Sequence, residues 1–133
     1  MRGSLQSYRQ VSVHSQLTEA SPHKITQMLF AGALEKIALS RYAIEQNDIA
    51  SKGMHIGKAI DIVEGLRSTL VMDDEDIGQN LSNLYEFMLD GLLQANVNND
   101  IQMLDDVSGL LRTIKEGWDA IPQEMHHMTA HAS

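Results

Sequence analysis

Between Ser21 and Ile121 the apolar residues recur every three to four positions, in four stretches separated by short polar breaks. That spacing belongs to helices that each hide one face. The first stretch opens on SPHK, with Ser21 placed to cap a helix and Pro22 at its first position. It predicts a helix from Pro22 to Gln46, ended at QND, where Asn47 closes one helix and Asp48 caps the next. A second helix, Ile49 to Val71, repeats Ile49, Ile56, Ala59, Ile60, Val63, Leu66 and Leu70 on one stripe. The acidic turn MDDEDIG suits the start of a third helix, Ile77 to Ala95, whose inner face is Ile77, Leu81, Leu84, Tyr85, Met88 and Leu92. After NVNND a fourth runs from Asp100 to Ile121, with Ile101, Leu104, Val107, Leu111, Ile114 and Trp118 as its stripe.

Short connections leave no length for a crossover, so successive helices must run antiparallel. The expectation is an all-α, up-down four-helix bundle over residues 21–121, with a loosely held N-terminal arm (1–20) and a frayed C-terminal tail (122–133). The opening MRGS carries no functional weight.

More apolar residues are present than one bundle needs. In the first helix Ile25, Met28 and Leu29 form one stripe, and Phe30, Leu34 and Ile37 form a second on another side. Ile62, Phe87 and Leu93 also point away from the core stripes of their helices. Gly53, Gly57 and Gly65 gather with Asp61 and Glu64 on the other side of the second helix, although each helical glycine costs roughly 1 kcal/mol relative to alanine. Close approach by another chain accounts for that cost. The competing reading is that the glycines fit neighbouring helices while the extra apolar residues cover one another or a homodimer contact.

Composition narrows the partners. With 133 residues, 43% of them hydrophobic, the chain suffices for one domain with a real core. A net charge of −8 repels phosphate backbones and anionic lipid, so neither nucleic acid nor direct membrane insertion is expected. No apolar run approaches the ~18 residues of a membrane span, and no signal-peptide pattern opens the chain. Cysteine is absent, which removes disulfides and thiolate chemistry and fits the cytoplasm.

Catalytic and metal chemistry find little support. A di-metal bundle needs Glu-x-x-His pairs on facing helices, and the only such pair is Glu124 and His127 in the tail, where His126 and His131 also lie. Asp73 to Asp76 lack the alternating spacing of a calcium loop. No nucleophile elbow or glycine-rich phosphate loop appears. The one enzymatic alternative is a histidine phosphotransfer domain, in which His55 takes the phosphoryl group and Lys58 screens its charge beside the small Ala59. Gly57, where that motif expects a packed leucine, weighs against it.

Five blocks then carry a resemblance: SYRQ at residues 7–10, SPHKITQMLFAGALEKI at 21–37, IGKAIDIVEGLRSTL at 56–70, NLSNLYEFMLDGLLQANVNND at 80–100 and LLRTIKEGW at 110–118. In this order they resemble the flagellin-specific export chaperones, the FliS family. Phe30 and Ala31 stand where that family more often reads Tyr-Asp, and Val63 where it often reads Ile. The resemblance implies a cytosolic chaperone, without catalytic residue or cofactor, that holds the C-terminal segment of flagellin against premature polymerisation and delivers it for export. It implies further contacts with the export gate and, in some members, an anti-sigma factor. In such a protein the client forms short helices in apolar grooves, which the N-terminal arm can cover, so the second stripe of the first helix is shared between arm and client. The candidate partner-binding residues are Tyr8 and Val11 in the arm, and Met28, Gly57, Lys58, Ile62, Tyr85, Phe87 and Asn96 in the helices.

Overall fold

The computed structural model describes residues 21–70, 75–122 and 124. Among these residues, four helices, α1 (Pro22–Glu45), α2 (Ile49–Ser68), α3 (Glu75–Asn98) and α4 (Ile101–Asp119), make up the fold. α1 and α3 each pack against both α2 and α4, so the helices follow one another around the bundle. Pairings across the seams fix the antiparallel sense: Gln27 reaches Asp119, Arg41 reaches Asp105, and Lys52 reaches Asn96 and Asn99. The arm and the tail of the sequence reading lie outside the described residues, as do Asp73 and Asp74.

Local chemistry sets the helix boundaries. Ser21 accepts from the Lys24 amide at 3.1 Å, with Pro22 next in line. Two turns use one device twice. Asn47 and Asn99 both take the left-handed conformation, with φ of 57° and 53°, which asparagine tolerates better than most residues. The amides of Asp48 and Asp100 then reach back to the carbonyls of Ala43 and Ala95. Each aspartate next caps the following helix, accepting from the amides of Ser51 and Met103. One residue reverses the chain and the next starts the new helix.

The core draws on all four helices, with Phe30, Ile37, Ile56, Val63, Leu66, Met88, Leu92, Leu104 and Leu111 among its buried members. This corrects the reading of α1. Phe30 and Ile37, from the stripe expected to serve arm and client, are buried in the core; Ile25, Met28 and Leu29 are only half-buried. Ile49 and Ile77, expected on core stripes, are 75% and 57% exposed. Ile49 is the first residue of α2 and Ile77 lies in the first turn of α3, where a helix has outrun its neighbours. Two helix ends also differ: α2 stops at Ser68, short of Val71, and α3 extends to Asn98.

Candidate functional site

Helix α3 is apolar beyond what the core uses. Phe87, Leu93 and Val97 are 48%, 54% and 80% exposed. Their positions around the helix follow from Gly91, where an added Cβ would lie 2.9 Å from the Met103 sulfur and 3.3 Å from Val107, marking the side pressed on α4. At about 100° per residue Phe87 falls on this α4 flank, and Leu93 and Val97 fall on the opposite flank, toward α2. Beside them α2 turns Gly53 and Gly57 the same way. A Cβ at either glycine, or at Gly65, would meet nothing within 4 Å. The reading in which these three glycines fit neighbouring helices is therefore overturned; they face open space. The α2–α3 flank thus pairs bare helix backbone with exposed aliphatic side chains, the surface on which another helix can lie close.

The candidate residues are distributed over several seams. Tyr8 and Val11 lie outside the described residues. Gly57 and Asn96 belong to the α2–α3 side, and Phe87 to the α3–α4 side. Lys58 is exposed on the flank of α2 toward α1, where Ile62 is half-buried with its Cδ1 3.5 Å from where a Gly32 Cβ would sit. Met28 lines a depression between α1 and α4 with Lys24, Gln27, Ala31, Lys115 and Asp119. Tyr85 is buried in the core, and burial pushes its hydroxyl up to about 12.

Sequence reasoning missed three residues that shape this surface. Val97 lay beyond the expected end of α3, although the repeated Asn-Asp pair at 99–100 marks that end in the sequence. Gly91 gives no sign in the sequence of being a tight α3–α4 contact. Lys52 is a buried lysine whose Nζ donates to the Asn96 carbonyl and to Asn99 Oδ1, each at 2.7 Å. It thereby satisfies one of the carbonyls left without a partner at the C-terminus of α3.

Of the phosphotransfer alternative's residues, His55 is half-buried with its Nδ1 shut away from solvent, and Lys58 is exposed. Among the described residues no three His, Cys, Asp or Glu side chains come together in a way that could hold a metal ion. No helix among them is long and apolar enough to cross a membrane.

A helical bundle with bare glycines beside exposed aliphatics is shared by many binding modules, and comparison with known proteins decides among them. The family profile described as Flagellar protein FliS matches residues 4–125. The chain belongs to the FliS family. It is 55% identical over 131 residues to the flagellar secretion chaperone FliS of Vibrio cholerae, covering 98% of this chain and 96% of that one. Identity to FliSB of Pseudomonas aeruginosa is 46%, over 88% and 94% of the two chains, and to FliS of Salmonella typhimurium 43%, over 88% of each. These FliS relatives are named as secretion chaperones, none as an enzyme. Family membership accords with the five sequence blocks, which span the same region.

Proposed function

We propose that this chain is a cytosolic export chaperone that holds the C-terminal segment of flagellin, prevents its premature polymerisation and delivers it to the flagellar export apparatus. The observation that carries the reading is the α2–α3 flank, where Leu93 and Val97 stand exposed beside Gly53 and Gly57 with open space over the backbone. An amphipathic client helix laid on that flank buries its anchors against the two aliphatics and approaches the glycine backbone closely. Phe87, Lys58 and Ile62, on the adjoining flanks of α3 and α2, suit a client that extends around that side of the bundle, while Tyr85 is buried in the core and out of a client's reach. Tyr8 and Val11 would belong to an arm that competes for part of the same surface. Handover to the export gate, and binding of an anti-sigma factor, are further contacts of the same chaperone. That the Vibrio cholerae and Salmonella typhimurium relatives are flagellar secretion chaperones supports the role in flagellar secretion.

Calorimetry with purified flagellin tests this. One-to-one binding with a clearly negative heat-capacity change is expected, because apolar surface is buried. Affinity that survives removal of flagellin's C-terminal segment would sink the proposal.

A further inference from the structure

The seam between α1 and α4, on another side of the bundle from the glycine flank, carries two shallow depressions in line. The first has Met28 and Ala31 against Lys24, Lys115 and Asp119; the second has Leu34 and Ala38 against Arg41, Arg112 and Asp105. Together they present four cations to two carboxylates, in a chain whose net charge is −8 and which has ten lysines and arginines in all. Both carboxylates are already engaged. Arg41 is shared between Asp105, at 3.0 Å, and Glu45 one turn further along α1, and Asp119 accepts from Lys115 at 2.6 Å and Gln27 at 2.7 Å, so the cations left over are Lys24 and Arg112. Lys24 and Arg112 are exposed and, among the described residues, carry no ion pair. Free positive charge therefore stands at both depressions, beside an apolar strip that repeats every three to four residues along α1. From Lys24 to Arg41 the strip is about 25 Å long at 1.5 Å per residue, room for a helix of four to five turns.

We propose that the α1–α4 seam docks an acidic amphipathic helix of a partner protein, at a place separate from the client flank. The partner's apolar face sits on Met28, Ala31, Leu34 and Ala38, two of them alanines that permit close approach. Its glutamates or aspartates pair with Lys24 and Arg112. A symmetric second copy is the poorer occupant, because it would bring the same surplus of positive charge to both sides of the contact.

The test uses the full chain and a labelled amphipathic peptide of about 18 residues, built from leucine, alanine and glutamate, with a counterpart carrying lysine for glutamate. Fluorescence anisotropy should show the glutamate peptide binding more tightly than its lysine counterpart, with affinity falling as salt rises. The double variant K24E/R112E should weaken it about tenfold, since two attractions become repulsions at exposed sites. Circular dichroism should show an unchanged fold for that variant, because both side chains are exposed on their helices. Equal binding of the two peptides, or an affinity indifferent to K24E/R112E, overturns the proposal. Self-association by sedimentation that K24E/R112E abolishes would give the seam to a second copy instead. Flagellin binding should be unaltered in the variant; an equal loss there would refute the separateness of the two surfaces.

Discussion

Glycines at four positions in two helices have opposite meanings here. Gly91 is filled from outside: a Cβ there would stand 2.9 Å and 3.2 Å from Met103 side-chain atoms and 3.3 Å from Val107. Gly53, Gly57 and Gly65 are empty. Gly91→Ala should therefore destabilise the bundle by about 1 kcal/mol, as Met103 swings aside and the stiffer Val107 has to give, less whatever the better helix propensity returns. Gly53→Ala and Gly57→Ala should each stabilise it by up to about 1 kcal/mol, while weakening the client bound over them. Urea unfolding and calorimetry on the same variants check both halves. A Gly57→Ala protein that gained stability and lost no client affinity would remove this flank from the binding site. Tyr85 sets a pH limit on the same fold. Burial favours its neutral phenol, with a folded value of about 12 against an ordinary tyrosine near 10. Its stabilisation is complete below about pH 10 and is lost as pH rises from there through about 12. Alkaline titration of ellipticity should show that loss, and Tyr85→Phe should reduce it.

At the scale of the helices, most of the fold is legible because each boundary is written locally. Ser21-Pro22, Asn47-Asp48 and Asn99-Asp100 mark their turns with side chains that act within three residues. The core stripes of α2 and α4 follow from period alone. What failed did so where a second element decides. The two stripes of α1 are visible in the sequence, but which of them faces inward depends on where α2 and α4 lie, so period alone does not show that Phe30 and Ile37 turn into the core. Ile49 and Ile77 keep the period of their stripes yet sit at helix ends with too little packed against them. Lys52 reads as one more surface lysine, since its acceptors are 44 and 47 residues away. The open glycines were legible as a cost without a visible return, although their emptiness needed the structure.

For the molecule as a whole, the fastenings are unevenly placed. Both Asn-Asp turns and the Lys52 tie between α2 and α3 lie at one end of the bundle. At the other end α1 and α4 are joined: Trp118 donates to the His23 carbonyl at 3.1 Å and its ring stacks on the imidazole, centroids 4.9 Å apart. Amide exchange should accordingly be slowest around residues 52–56 and 92–96 and faster toward Leu66 and Leu81. Lys52→Met should even out that gradient by freeing the protected end. Uniform protection along α2 in the unaltered protein would contradict it. In mechanical terms the Lys52 end is a fulcrum. α2 has 20 residues and is thus a lever of about 30 Å, so a tilt of about 10° at the fulcrum sweeps its far end through about 5 Å. A stroke of that size would be close to one helical turn, and it would fall beside α3, away from the ring-stacked pair that joins α1 and α4.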